Sequence, residues 1–316
     1  MGIKLSEVDF TYSKNKKSIN YVNHNINISI NGKDEFVAIV GHTGSGKSTL
    51  VQLFNGLLLP SSGIIDVSFR NNGEMCYYKI KGGLKKCKFA LSKDEFKNKI
   101  RYKNKIYLKP LRSHIGLVFQ FPEYQIFEET VLKDIMFGPK NFKKDSKEAE
   151  KKAREAARIM GIENLLDKSP FSLSGGQMRK VAIAGILAME PEVLVLDEPT
   201  VGLDPSAKSD LLDFLVDLQN NTHKSIILIT HDMDVVGKYA KRVIVLNKGV
   251  IKYDGSKEEL FKHEDIILDN DLGYPNIVDV LRGLRDKFNI DIDIYQYNVE
   301  DAFLEIKKKM GDKHEW

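Results

Sequence analysis

The sequence predicts an α/β fold with a mostly parallel sheet covered by helices on both faces, and three observations carry that prediction. Short apolar runs recur at residues 36–40, 193–196, 225–230 and 243–246, without the alternation of a half-exposed strand. Helix-compatible segments at 48–58, 207–218 and 233–239 stand between them. The run 36–40 passes through glycines straight into the first of these segments, giving strand, tight loop, helix. Continuously apolar strands alternating with helices imply a sheet buried on both faces.

Each remaining element has its own signal. Ile26, Ile28 and Ile30 alternate with polar residues at the period of a half-buried strand, and 64–69 adds further β character, so the N-terminal portion is β-rich. Ala149, Ala153, Ala156, Ala157 and Met160 recur at helical spacing between a cap at Asp145 and a stop at Gly161. Residues 123–188 therefore read as a largely helical insertion. After Gly255 the pattern changes: Ile277, Val280, Leu281 and Leu284 form a helical stripe, Ile290, Ile292 and Ile294 alternate, and Val299, Phe303 and Ile306 suggest another helix. The domain boundary falls there, with a body over 1–255 and a small α+β extension over 256–316.

Composition narrows the function classes. The chain has 316 residues, 42% hydrophobic and 29% charged, enough apolar material for a buried core and too much for wholesale disorder. No apolar run approaches the roughly 18 residues of a membrane-spanning helix, and residues 1–10 lack the apolar segment of a signal peptide, so a soluble, non-secreted chain is expected. Cys76 and Cys87 lack the partners of a disulfide framework or metal site and read as reduced thiols. The net charge of +4 is unevenly spread: residues 71–110 hold 12 Lys/Arg against 3 Asp/Glu, a local +9 that leaves −5 elsewhere.

The chemistry begins at Gly41-His42-Thr43-Gly44-Ser45-Gly46-Lys47-Ser48, a GxxxxGK[ST] pattern placed after a buried strand and before a helix. Glycines permit a bend in which successive N–H groups face phosphate oxygens, and the helix N-terminus adds favourable potential. Lys47 would contact the β- and γ-phosphates of the ligand, and Ser48 would give its hydroxyl to Mg2+. The apolar run 193–196 delivers Asp197 and Glu198 at its carboxyl end, where open α/β sheets bind ligands. Asp197 can hold the metal through water, and Glu198 can polarise an attacking water. Leu173-Ser174-Gly175-Gly176-Gln177 then opens another helix-compatible segment, reading equally as a capped helix start or as a second anion-binding surface.

These motifs occur in a fixed order: the phosphate loop at 41–48, Gln120 closing the strand 115–119, LSGGQ at 173–177, LVLDEP at 194–199, GLD at 202–204 and ITHD at 229–232. The set resembles the ATP-binding-cassette ATPases over residues 1–255. The resemblance implies a P-loop NTPase cassette with a helical signature subdomain, working as a head-to-tail pair in which each ATP lies between one phosphate loop and the other cassette's signature. It further implies that Tyr12 stacks on adenine, that Gly41, Thr43, Gly44, Ser45, Gly46, Lys47, Ser48 and Thr49 contact the nucleotide, and that Ser174, Gly176 and Gln177 close over the partner's nucleotide. Gln120 would contact metal or water and sense a membrane partner, Asp204 would communicate across the dimer, Glu198 would be the general base and His231 would contact the γ-phosphate.

Within that family, GHTGSGKSTL, the run FQFPEYQIFEETV at 119–131 and SGGQMRKVAIAGILAMEP at 174–191 resemble the second ATPase subunit of energy-coupling factor transporters. What this implies is ATP hydrolysis driving uptake of a vitamin or other micronutrient. The implied partners are a second ATPase subunit in a heterodimer, a transmembrane coupling protein and, indirectly, a membrane substrate-capture subunit. The implied location is the cytoplasmic side of the cell membrane, as a peripheral protein. Phe121, Tyr124 and Phe127 are candidate anchors for the coupling protein, with simple packing of the insertion as the alternative. The extension 256–316 would help hold two ATPases together.

Two other functions share parts of this pattern. An ATPase of another importer class, such as one for metal ions, has every nucleotide motif. A soluble nucleic-acid-associated cassette would use the basic stretch, although no nucleic-acid module accompanies it. The stretch 71–110, longer than the family's usual connection, is expected to be a solvated surface loop or hairpin, with anionic-lipid contact the next reading and nucleic acid the last.

Overall fold

The computed structural model describes residues 1–13, 20–31, 34–71, 74–83, 86–90, 108–142 and 145–310. Its strands are β1 (Gly2–Phe10), β2 (Asn23–Asn31), β3 (Phe36–Val40), β4 (Ser62–Asn71), β5 (Glu74–Lys81) and β6 (Lys86–Ala90). They continue with β7 (Ile115–Val118), β8 (Val193–Asp197), β9 (Ser225–Ile229), β10 (Arg242–Asn247) and β11 (Val250–Ser256). One sheet is antiparallel, in the order β2-β1-β4-β5-β6, and the other runs β11-β10-β3-β9-β8-β7. The second is parallel from β10 to β7, with β11 added antiparallel at its edge.

The apolar runs are continuous because both faces of that parallel sheet are covered. Val37, Ile39, Val195 and Ile227 face the helix Lys47–Phe54 and, beyond it, Ile26, Ile65 and Phe69 of the antiparallel sheet. Leu194, Leu196, Ile226 and Leu228 face the opposite way, onto Ala149, Ala153 and Val181 of the helical insertion and Leu212 and Leu215 of the helix Pro205–Thr222. The order of layers is therefore sheet, helix, sheet, helices. The first helix stops at Phe54, short of the predicted residue 58, because Gly56 takes φ 68° and the Asn55 side chain accepts the Leu57 N–H at 3.1 Å.

The helical insertion holds the helices Val131–Phe142, Ser146–Ile159 and Gly175–Leu187. Asp145 caps the second by accepting the Lys147 N–H, and Gly161 leaves its end at φ 65°.

The described part of the basic stretch takes the hairpin form of the two expected, with β5 antiparallel to both β4 and β6, although one of its faces is buried. β5 pairs with β4 from Ile64↔Lys81 to Asn71↔Glu74, and Cys76, Tyr78 and Ile80 turn inward into the core. Lys79 points outward, 3.3 Å from Asp66. Positions 91–107, which carry much of the charge, lie outside the described residues.

The C-terminal extension corrects one expectation. Its helices are Lys257–Lys262, Glu264–Asp269, Asn276–Phe288 and Val299–Met310, and 290–297 pairs with no strand among the described residues. The Ile290, Ile292, Ile294 alternation arises because one side of an extended segment packs on Leu281 and Ala302 of the flanking helices. Val280, Phe288, Val299, Phe303 and Leu304 are left exposed. Among the described residues no helix is long and apolar enough to cross a membrane.

Candidate functional site

Parallel strands end on one edge, and their order brings the sequence motifs together there. The phosphate loop leaves β3, Asp197 ends β8, Ile229 ends β9 two residues before His231, and Gln120 is exposed two residues beyond β7. Asp197 and Ile229 are register partners, and the Glu198 N–H donates to Ile229 O at 3.1 Å. That bond helps hold Glu198 at φ 49°, a left-handed backbone costing a non-glycine residue on the order of 1 kcal/mol. Its carboxylate, 14% exposed, lies 2.9 Å from His231 Nδ1.

The loop itself is braced from outside. Gly41, Gly44 and Gly46 have φ of 143°, 82° and 99°, so three residues of the turn occupy conformations that side chains disfavour. Asn23 Nδ2 donates to Gly46 O at 3.2 Å, the Gly249 N–H donates to Ser45 O at 3.0 Å, and His42 Nε2 lies 3.1 Å from Asn247 Oδ1. Asn23 and the β10–β11 turn thus clamp the loop from two sides; neither was singled out in the sequence, since both lie far from it along the chain. Tyr12 is 61% exposed with its hydroxyl 3.3 Å from Thr49 Oγ1, at the first turn of the helix that the loop feeds. Thr43 and Gly44 are open to solvent.

Lys47 is buried, its Nζ donating to Gly41 O at 2.7 Å and His42 O at 3.0 Å. Burial lowers its pKa, opposed by the charges of Glu198 and Asp197. Burial raises the pKa of Asp197, and Glu198 adds to that, while a hydrogen bond with Ser48 and the charge of Lys47 pull it down. One buried cation and a buried carboxylate therefore share a small space that disfavours both charges, and a polyanion with a divalent cation would relieve it. The residues fit such a ligand: Ser45 Oγ is buried without a hydrogen-bond partner, and Gly44 has open space where a Cβ would stand. Among the described residues no group of three His, Cys, Asp or Glu forms a metal centre. Ser48 and Asp197 offer two oxygen donors, the kind of incomplete set Mg2+ uses when phosphates and waters supply the rest.

The signature stands apart. Ser174 caps the helix Gly175–Leu187 in a reciprocal box, its Oγ accepting the Gln177 N–H at 3.3 Å and its own N–H donating to Gln177 Oε1 at 3.1 Å. This is the capped helix start, and the anion-binding alternative is not displaced by it, because a methyl group added to Gly175 or Gly176 would meet nothing within 4 Å. Asp204 caps the helix Pro205–Thr222 through the Ala207 N–H at 3.0 Å. Ser174, Gly176, Gln177 and Asp204 line a cleft of about 650 Å³ that includes none of residues 41–49. The structure thus gathers Lys47, Ser48, Asp197, Glu198 and His231 at one place and the signature with Asp204 at another.

Further residues join these parts; they stood inside the quoted motifs without a role assigned to them. Asp232, directly after His231, caps the helix Met233–Tyr239 and pairs with Lys208 of the helix that Asp204 starts. Its helix-cap position was readable from the residue type; its partner 24 residues away in the same chain was not. Arg179, buried in the signature helix, reaches Glu123, Pro199 and Val201.

Known proteins resemble this chain in sequence and in fold. The family described as "ABC transporter" matches residues 23–201, and one described as an AAA domain matches 167–237. A Bacillus cereus protein named energy-coupling factor transporter ATP-binding protein EcfA2 is 45% identical over 272 residues, covering 86% of this chain and 84% of that protein. A Clostridium tetani protein of the same name is 41% identical over 320 residues, covering 99% of both. Among solved structures, cbiO1 of Clostridium perfringens, described as part of the ABC transporter complex cbiONQ, superposes with TM-score 0.64 at 35% identity, covering 89% of this chain and 98% of that one. A dimeric ATP-binding cassette in a post-hydrolysis state with ADP and Pi gives TM-score 0.61 at 28% identity, covering 80% and 98%.

Proposed function

The chain belongs to the ABC transporter family, and from that membership we propose its function: it is the ATP-hydrolysing subunit of an energy-coupling factor importer, acting with a second ATPase and transmembrane components. The observation that carries this reading is the division of one chain into a braced phosphate loop and a distant signature face whose glycines leave open space where a side chain would stand. Two cassettes of this kind placed head to tail, this chain and the second ATPase, would complete each other. In that pair Lys47 and the loop N–H groups hold the phosphates of ATP, with Tyr12 against the base. Ser48 and Asp197 would hold Mg2+, which would supply positive charge to neutralise the phosphates being separated. Glu198 takes the proton of the attacking water, His231 orients the Glu198 carboxylate and reaches the γ-phosphate, and Gln120 reports on the site from the sheet edge.

The partner assignments follow from surfaces. Phe121, Tyr124 and Phe127, exposed beside Gln120, suit the helices of a transmembrane coupling protein, and a membrane substrate-capture subunit would be reached only through it. The exposed apolar residues of the helices Asn276–Phe288 and Val299–Met310 suit the second ATPase subunit in a heterodimer. The chain would then sit peripherally on the cytoplasmic face of the cell membrane, where the basic stretch could meet anionic lipid. Purification of the tagged chain from its membrane in mild detergent tests this: a second cassette and a polytopic membrane protein should accompany it. Recovery of the chain with nucleic acid, or with neither partner, would refute the assignment.

A further inference from the structure

Arg179 is a buried charge in the signature helix, and its guanidinium makes four hydrogen bonds to two other parts of the chain. Nε and Nη2 donate to the two carboxylate oxygens of Glu123 at 3.2 and 3.0 Å, the forked geometry in which arginine binds a carboxylate most strongly. Nη1 donates to Pro199 O at 2.8 Å and to Val201 O at 2.9 Å. The side chains of Arg179 and Glu123 are 6% and 13% exposed, so solvent screens neither greatly.

The two ends of this bridge are not arbitrary. Glu123 lies in the short turn Pro122–Gln125, three residues past Gln120, and its neighbour Tyr124 is 84% exposed on the aromatic face assigned to the coupling protein. Pro199 and Val201 follow Glu198 and lead to Asp204. Glu198 has a left-handed backbone, and the Val201 N–H donates to Glu198 O at 3.3 Å, so the turn whose carbonyls Arg179 grips closes directly onto the residue that carries the carboxylate. A turn with an aromatic outside and an acid inside is therefore joined, through one arginine, to the loop that aims the general base.

We propose that Arg179 and Glu123 form a positioning pair that holds the 199–204 loop and makes the Glu198 carboxylate respond to movement of the turn 122–125. The pair touches no reacting atom. Its role in coupling rests on the function proposed above, but its hold on the loop does not. Lysine at 179 would keep one charge for Glu123 and could not serve both carbonyls as well, because a single ammonium has no planar fork.

The test uses the complex with its membrane partners, with Glu123→Gln, Arg179→Lys and the double variant. Amide hydrogen exchange in 199–204 should speed up at least about tenfold in each single variant, while exchange in 181–187 of the signature helix stays unchanged. Turnover should fall about tenfold with KM for ATP within about twofold, and the double variant should be no worse than the weaker single one. Unchanged exchange in 199–204 would overturn the pair's hold on the loop. Altered exchange with full turnover, or additive losses in the double variant, would overturn its role in aiming Glu198. If the wild-type complex itself hydrolyses no ATP, the transporter function fails while the exchange result still decides the pair.

Discussion

A methyl group added to Gly41 would stand 2.0 Å from Leu246 O and one added to Gly46 2.6 Å from Val22 O, whereas at Gly175 and Gly176 it would meet nothing within 4 Å. Both segments are glycine-rich loops entering helices, yet their glycines answer different demands. At the phosphate loop the chain's own backbone comes so close that a side chain is excluded, and Asn23, Asn247 and Gly249 complete the brace. At the signature the capping box already satisfies the helix end, so no internal packing calls for two glycines. Such a surface is understandable when something outside the chain approaches its backbone, which is the situation of a nucleotide held by a second cassette. On the function proposed above, the first half of the site is finished by folding and the second by assembly.

The largest effect that can break this comparison is on turnover. Glu198→Gln should leave ATP bound and reduce hydrolysis about a thousandfold, within the usual range for loss of a general base. Because the finished half still binds, the unfinished half should close on it and stay closed, giving a dimer with ATP that the wild type does not accumulate. Retention of ATP through chromatography of the variant mixed with the second ATPase subunit and Mg2+ would register it, and release of the nucleotide under those conditions would mean the halves do not complete each other. Lys47→Ala attacks the finished half alone. Losing a charged donor to phosphate should weaken ATP binding about a hundredfold by calorimetry, and without bound nucleotide the two cassettes should not close on each other.

The glycines sharpen the comparison because stability and activity should part company. Gly41→Ala should destabilise the fold by about 3 kcal/mol, from the close backbone contact and the φ of 143°. Gly176→Ala should leave stability unchanged or raise it by about 0.5 kcal/mol, alanine being the better helix former, while lowering turnover about a hundredfold through a misfitted dimer. Chemical denaturation beside an ATPase assay separates the two. A destabilised Gly176→Ala protein would place the demand for glycine inside the chain.

Much of this was legible in the sequence because the relevant signals are local. The phosphate loop is eight consecutive residues, and the strands of the parallel sheet announce themselves as apolar runs because helices cover both faces. Asp145 and Gly161 marked a helix at both ends. Illegible features depend on distant partners: Arg179 meets Glu123 across 56 positions, Asn23 reaches Gly46 across 23, and Lys208 pairs with Asp232 across 24. The isoleucine alternation at 290–294 failed differently. Period two reports that one side is buried, and here helices rather than a neighbouring strand do the burying.

Tyr12 supplies the smallest and most delicate test, because it belongs to the finished half and yet is 61% exposed. Its ring meets Phe10 edge-on at 4.8 Å and its hydroxyl approaches Thr49, contacts that aim the ring without burying it. An aromatic group held in place with an open face is suited to stacking on a base, an interaction worth about 1 kcal/mol. Tyr12→Ala should therefore weaken ATP about fivefold, and Tyr12→Phe should recover most of the loss because the ring and its edge contact remain. Binding of inorganic triphosphate, which lacks a base, should be the same in all three proteins. Equal weakening of ATP and triphosphate would show that Tyr12 acts by bracing the loop through Thr49, and would move it from the ligand face to the scaffold.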